Sequence, residues 1–215
     1  QARAEQPLLG LAGGWIGHLP IRLRGTVGGS LAHSDPTAEW CVCARLLDAE
    51  LRVASLHGER TIAAEEWFHG VFETDLRPDE MLVEVVFGRP RPHAGFAEYA
   101  QRRGDFGIVV AGAVLDLDEG GVIADPRLVL GGVAGVPLAM PEVTAALAGQ
   151  RADEELVVHA GALAGAAVPG RGGAAGDACY QRRLTASLTT VALAQAAGLA
   201  PDRHRLLGNE AARRL

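Results

Sequence analysis

Residues 24–40 read RGTVGGSLAHSDPTAEW, and this stretch combines a glycine pair with hydroxyl, imidazole and carboxylate side chains. Gly28 and Gly29 have no Cβ, so a ligand can approach their backbone amides closely, and Thr26 and Ser30 add a hydroxyl group on either side. A glycine pair of this kind also occurs in ordinary tight turns. The spacing alone therefore leaves two interpretations open, a tight turn and a loop that binds a pyrophosphate.

The residues after the glycine pair have the spacing of an amphipathic helix. Pro36 and Thr37 suit the first turn of a helix, and the apolar residues that follow recur three or four positions apart. These apolar residues are Trp40, Cys43, Leu46 and Leu47. We therefore expect the glycine loop to lead into the N-terminus of a helix.

Further along the chain, the pattern changes from alternation to helical periodicity. Residues 50–64 predict a β-hairpin with its turn at Gly58 and Glu59. Alternating apolar residues predict later strands, and Ala-rich segments predict the helices that follow. The strands are expected in 81–88, 94–103, 105–118 and 122–134, and the helices in 141–149, 152–168 and 176–198, with a further helix in 2–15. Strands followed by helices indicate an α+β fold.

Gly, Pro and Arg cluster in GRPRPH at residues 88–93, which is typical of a connection between subdomains. We place a boundary there and divide the chain into residues 1–90, residues 91–200 and a C-terminal tail, 201–215. The glycine-rich segment 168–177, VPGRGGAAGD, predicts a flexible loop.

Composition excludes several classes of function. The formal net charge is -6, and nucleic-acid binding needs clustered positive charge, so no nucleic-acid partner is expected. No apolar run reaches the roughly 20 residues that span a bilayer, so no membrane segment is expected. The three cysteines lack the spacing of a disulfide framework or a thiolate metal site, which favours a cytoplasmic protein without a metal centre.

Four segments in order carry a resemblance to a known family. They are IRLRGTVGGSLAHSDPTAEW (21–40), GERTIAAEEWFHGVFETDLRPDEMLVEV (58–85), GFAEYAQRRGDFGIV (95–109) and LDLDEGGVIADPRLVLGGVAGVP (115–137). Together they resemble the medium, FAD-binding subunit of the molybdenum hydroxylases, the family of aerobic carbon monoxide dehydrogenase and xanthine dehydrogenase. The implied fold is the C-terminal part of an FAD-binding domain of the molybdopterin dehydrogenase type, followed by a three-stranded antiparallel sheet packed on a helical bundle.

The resemblance also implies an FAD site. It assigns diphosphate contacts to the TVGGS segment, a position along the flavin to Ala32 and His33, bonds to FAD hydroxyls to Glu39, and a place near the isoalloxazine to Leu76 and Phe106. The cofactor-binding residues that it implies are Thr26, Val27, Gly28, Gly29, Ser30, Ala32, His33, Glu39, Leu76 and Phe106.

The function implied is electron transfer. Electrons would pass from an iron-sulfur partner through FAD to an external acceptor, with an iron-sulfur subunit and a molybdopterin subunit as partners. A homodimer and a free small-molecule ligand stay open beside them. Relatives usually carry Asn where this chain has Leu23.

The family also places a first Gly-rich motif upstream, in a subdomain that these residues do not contain, so we expect either a start upstream of Gln1 or a shortened form. A shortened form suggests an alternative function, a stand-alone non-redox enzyme of secondary metabolism, such as a cyclase or isomerase, without FAD. Its general acid or base would come from His33, Asp35 or Glu39. A module that only binds other proteins is the third hypothesis.

Overall fold

The computed structural model describes residues 5–102, 104–170 and 177–199. The predicted tail, 201–215, and most of the predicted flexible loop lie outside these residues. The first part of the chain is helical, and the helix predicted over residues 2–15 is shorter than expected. Its helices are α1 (Pro7–Ala12), α2 (Leu19–Arg22), α3 (Val27–His33) and α4 (Glu39–Leu46).

The glycine pair lies inside helix α3, so the prediction of a glycine loop at this place was wrong. Thr26 precedes the helix in an extended conformation, and its Oγ1 accepts a hydrogen bond from the Gly29 amide at 2.9 Å. Leu31 is fully buried, and the Trp67 indole donates to the Leu31 carbonyl oxygen at 2.9 Å. An N-cap and tertiary packing thus outweigh the low helix propensity of two glycines.

Helix α4 begins at Glu39, two residues after the predicted start. It packs on the second sheet at two glycines, Gly112 and Gly131. A Cβ added to Gly112 would lie 3.0 Å from the Val42 side chain, and one added to Gly131 would lie 2.9 Å from it. The Gly132 amide also donates to the Pro36 carbonyl oxygen at 2.8 Å. These contacts fix the N-terminus of α4 against the sheet.

The first sheet is antiparallel, with the strand order β2-β1-β5. The predicted hairpin is present, but its turn is Leu56 and His57, since Ser55 pairs with Gly58. A short helix and a two-stranded ribbon connect the hairpin to the third strand. The elements are β1 (Glu50–Ser55), β2 (Gly58–Ala63), α5 (Ala64–Trp67), β3 (Phe68–Gly70), β4 (Glu73–Thr74) and β5 (Met81–Val86).

The second sheet is antiparallel in the order β6-β7-β8-β9, so it has one strand more than the three that were predicted. The extra strand, β9, has two residues, too few for an alternating pattern to reveal. Three helices follow, as predicted, and the α+β fold is confirmed. The elements are β6 (His93–Tyr99), β7 (Val109–Leu115), β8 (Arg127–Gly131), β9 (Leu138–Ala139), α6 (Pro141–Leu147), α7 (Glu154–Ala167) and α8 (Ala178–Ala196).

The two faces of the second sheet have different neighbours. On one face, β7 and β8 pack against the helices α6 to α8 in the largest apolar cluster. On the other face, Phe96, Val110 and Val129 join Leu8 and Leu46 in a cluster shared with α1 and α4. The N-terminal helices are therefore held on the sheet by a common core.

Candidate functional site

A cavity of about 830 Å³ opens between the N-terminal helices and the loop that joins β6 to β7. Its wall comes from four places: the α1–α2 segment, α3, the start of α4, and residues 104–107. The lining residues are Gly13, Ile16, Gly17, Ile21, Arg22, Arg24, Gly25, Thr26, Val27, Gly29, Ser30, His33, Thr37, Ala38, Glu39, Trp40, Gly104, Asp105, Phe106 and Gly107.

The structure brings most of the predicted site residues to this cavity. Seven of them line it: Thr26, Val27, Gly29, Ser30, His33, Glu39 and Phe106. Gly28, Ala32, Asp35 and Leu76 are not among the lining residues.

Gly28 and Gly29 differ in their surroundings, although they are adjacent. A Cβ on Gly28 would lie 3.8 Å from the Leu82 side chain, an ordinary contact. A Cβ on Gly29 would lie 2.9 Å from Thr26 Oγ1, which is the atom that caps α3. Gly29 therefore keeps the capped end of α3 intact beside the cavity.

His33 ends α3 and is exposed at the cavity wall. Its ring stacks on Phe72 with a centroid distance of 4.7 Å and an interplanar angle of 23°. The next residue, Ser34, adopts a left-handed conformation with φ 55, and the Phe72 amide donates to its carbonyl oxygen at 3.1 Å. The ribbon β3–β4 thus holds His33 in place.

Asp35 has a structural role in the loop before α4. One of its oxygens, Oδ1, accepts hydrogen bonds from the Thr37 amide at 2.8 Å and from the Thr37 hydroxyl at 2.6 Å. This is a local turn that a short carboxylate commonly forms. Of the three acid–base candidates from the sequence, Asp35 is the one whose carboxylate is hydrogen-bonded within its own loop.

Glu39 occupies the first position of α4 and faces the cavity. Burial raises the pKa of its carboxyl group, a backbone hydrogen bond opposes that rise, and the charge of Asp35 adds to it. The carboxyl can accept or donate a hydrogen bond there, depending on its protonation.

The loop between β6 and β7 forms the opposite wall. Gly104 has φ +87, and a Cβ at this position would lie 2.6 Å from the His18 ring, so glycine fits both the backbone and the contact. Phe106 is 70% exposed at the cavity mouth. The loop therefore meets the α1–α2 segment and presents an uncovered aromatic ring.

Leu76 lies in the LRPDE turn and packs with Leu51 and Trp67, rather than in the cavity wall. Arg60 holds this turn through hydrogen bonds to both oxygens of Glu80 at 2.7 Å and to Asp75 Oδ2 at 2.5 Å. The hydrogen bond from Arg60 lowers the pKa of Glu80 to about 2, against the opposing effect of burial.

Sequence reasoning missed two features near the cavity. Arg22 and Arg24 line it and are exposed, and nothing in the spacing of IRLRG marked them as site residues. Glu98 lies in β6, is 3% exposed, and its Oε2 has no hydrogen-bond partner among the described residues. A glutamate between apolar neighbours in GFAEYA was the signal available for it.

The residues at the cavity fit the requirements of FAD. The volume lies within the range of small-molecule sites. Arg22, Arg24 and the hydroxyls of Thr26 and Ser30 can bind phosphate oxygens. Ile16, Ile21 and Phe106 supply apolar surface for a ring system, and the buried side chain of Glu98 lies behind Gly107.

Within residues 5–102, 104–170 and 177–199, no group of three His, Cys, Asp or Glu side chains has metal-binding geometry. No helix in the same residues is long and apolar enough to cross a membrane.

Comparison with known proteins gives matches along nearly the whole chain. Residues 1–90 match the FAD binding domain in molybdopterin dehydrogenase, and residues 94–196 match the CO dehydrogenase flavoprotein C-terminal domain. The chain is 37% identical to the nicotine 6-hydroxylase medium subunit of Paenarthrobacter nicotinovorans, over 69% of this chain and 52% of that protein. It is 29% identical to the carbon monoxide dehydrogenase medium chain of Afipia carboxidovorans, over 76% of this chain and 57% of that one.

Among solved structures, quinoline 2-oxidoreductase from Pseudomonas putida 86 superposes with a TM-score of 0.86 and 32% identity. The match covers 91% of this chain and 68% of the other. The chain thus spans about half the length of the nicotine 6-hydroxylase subunit and about two thirds of the quinoline enzyme chain.

Proposed function

The chain belongs to the FAD-binding medium subunits of the molybdenum hydroxylases, and we propose that the cavity beside α3 is where it holds FAD. The single observation that carries this proposal is the convergence of seven predicted FAD residues on one cavity. These residues come from α3, from the start of α4 and from the β6–β7 loop, which are distant in sequence.

The lining of the cavity combines polar and apolar side chains. Arg22, Arg24, Thr26 and Ser30 would bind the diphosphate through guanidinium and hydroxyl donors. His33 and Phe106 would lie along the ring system, and Glu39 would accept hydrogen bonds from FAD hydroxyls. Leu76 and Ala32 would act through the packing behind α3 rather than by lining the cavity.

When bound, FAD supplies the capacity to accept and release electrons one or two at a time. The chain's own residues bind the cofactor, orient it and exclude water from one side of it. We further propose that electrons arrive from an iron-sulfur subunit and leave for an external acceptor, in an assembly that includes a molybdopterin subunit. The resemblance of the chain to medium subunits along most of its length supports this role.

Titration of the 215-residue chain with FAD, followed by flavin fluorescence, tests the proposed site. We expect saturable binding, and we expect Arg24→Glu to raise Kd at least about tenfold, because it places a carboxylate where a phosphate would bind. Arg52→Glu is the matched control, since Arg52 is an exposed arginine of β1 outside the cavity.

Binding that Arg24→Glu and Arg52→Glu weaken equally would place FAD elsewhere. A chain that binds no FAD at all would contradict the proposal and would favour the non-redox alternative.

A further inference from the structure

Glu98 lies against the cavity wall but plays no part in the site that the sequence predicted. It stands two residues after Phe96 in β6, so both side chains point to the sheet face that carries α1 and α4. Its Cγ and Cδ lie 3.1 Å and 3.2 Å from the place that a Cβ of Gly107 would occupy. Gly107 itself lines the cavity, so the carboxyl is packed directly behind the wall.

The carboxyl of Glu98 is buried and incompletely bonded. The residue is 3% exposed, and Oε2 has no hydrogen-bond partner in the part of the chain that the structure describes. A buried polar oxygen without a hydrogen-bond partner lowers the stability of the folded state. Its presence beside a cavity therefore indicates that Glu98 has a function at that cavity.

The elements that pack beside Glu98 are mostly apolar. Neither β7 nor α1 has a titratable side chain, and residues 192–196 of α8, which approach β6, have none. Helix α4 carries Glu39, Cys41, Cys43 and Arg45. The titratable groups near the cavity wall are the carboxylates of Glu39 and Asp105, the guanidinium groups of Arg22 and Arg24, and the imidazoles of His18 and His33. Of these, Glu39 is the charge that acts on Glu98.

Burial, and then the negative charge of Glu39, raise the pKa of Glu98 to about 8. Glu98 is therefore mostly a neutral acid at neutral pH, and further negative charge in the cavity would favour that form more strongly.

We propose that Glu98 takes up a proton when negative charge enters the cavity, as it does when a bound flavin is reduced. The electrons come from an external reductant and stay on the flavin. Where Glu98 is still ionised, a proton from solvent converts its carboxylate to the carboxylic acid, in addition to the proton that the flavin itself takes up on two-electron reduction. This inference rests on the proposed FAD site.

The test is the midpoint potential of the FAD-loaded chain between pH 6 and pH 10, with dithionite as reductant. We compare the wild type with Glu98→Gln, which cannot take up the proton, and with Glu84→Gln, an exposed glutamate of β5. Between pH 8 and the higher pH at which Glu98 loses its proton in the reduced chain, the wild type and Glu84→Gln should take up as much as one more proton per two electrons than Glu98→Gln. That difference is tenfold per pH unit in the equilibrium constant, or about 30 mV per pH unit.

Glu98→Asp keeps a carboxyl group and should retain the extra proton, which a purely packing role for Glu98 does not predict. If Glu98→Gln fails to fold, infrared spectra of the wild type decide. A carboxylic-acid band that is lost near pH 8 in the oxidised chain and at higher pH in the reduced chain supports the proposal, and an unshifted band overturns it.

Different experimental outcomes would overturn the proposed FAD site and the proposed role of Glu98. A chain that retains no FAD overturns the proposed function and this inference with it. A chain that retains FAD but gives equal slopes for the wild type and Glu98→Gln overturns the role of Glu98 alone.

Discussion

At the scale of single residues, the fold keeps the Glu98 carboxyl away from water, and this has a consequence for stability as well as for the cavity. Its ordinary pKa of 4.5 applies to the unfolded chain, whereas the folded value is about 8. The folded state therefore binds this proton more tightly than the unfolded state does. The stabilisation that results is complete below about pH 4.5 and is lost as the pH rises towards 8.

Glu98→Gln should remove this dependence, because the amide has a similar shape and does not titrate. The variant should match the wild type near pH 4.5 and exceed it at pH 8 by on the order of 4 kcal/mol in the free energy of unfolding. Urea denaturation at the two pH values measures the difference. A difference that stays constant with pH would show that folding does not raise the pKa of Glu98.

The sequence predicted which kinds of side chain line the cavity better than it predicted which individual residues do so. Thr26, Ser30, His33 and Glu39 were predicted as site residues and lie at the cavity. Asp35 was a candidate acid or base, but its carboxylate accepts hydrogen bonds from Thr37 instead. This pairing depends on the conformation of the loop that contains both residues. Arg22 and Arg24 were missed because it is tertiary structure that brings them to the same cavity as the β6–β7 loop.

At the scale of elements, helix α3 shows why the glycine pair was predicted as a loop. Two glycines lower helix propensity, and a local pattern has no means to show that Thr26 caps the helix or that Trp67 holds Leu31. The strands β6 and β7 and the three C-terminal helices were predicted correctly, since their periodicity continues over enough residues to be read locally.

The same helix supports a prediction that separates the two glycines. Gly28→Ala should raise the free energy of unfolding by roughly 0.5–1 kcal/mol, because alanine favours the helix and its Cβ meets only an ordinary contact. Gly29→Ala should gain nothing or lose a few tenths, because its Cβ displaces the Thr26 cap, which contributes about 1 kcal/mol. Thermal or urea unfolding of the two variants measures this; equal gains would show that the cap is dispensable.

At the scale of the whole molecule, an ion-pair network joins the connection after β5 to the second sheet. Arg91 has a side chain that is 4% exposed, and it binds Asp125 at 2.7 Å and Asp116 at 3.5 Å. The Arg91 amide also donates to Gln6 at 3.2 Å. Together with the apolar cluster shared by α1, α4 and the sheet, this network couples the first part of the chain to the second.

Arg91→Ala should therefore lower the free energy of unfolding by roughly 2–3 kcal/mol, because it leaves two aspartates without one of their partners. Arg52→Ala removes two exposed ion pairs of β1 and should cost less than about 1 kcal/mol. Calorimetry of the wild type should show one cooperative transition. Separate transitions, or equal costs for the two variants, would mean that the network does not couple the parts.

The central claim is that the cavity between α3 and residues 104–107 is the FAD site. A crystal structure of the chain grown with FAD tests it most directly. The claim predicts cofactor density in this cavity, with the diphosphate near Arg24, Thr26 and Ser30 and the ring system between His33 and Phe106. FAD density at another place, or an unoccupied cavity at saturating FAD, would contradict it.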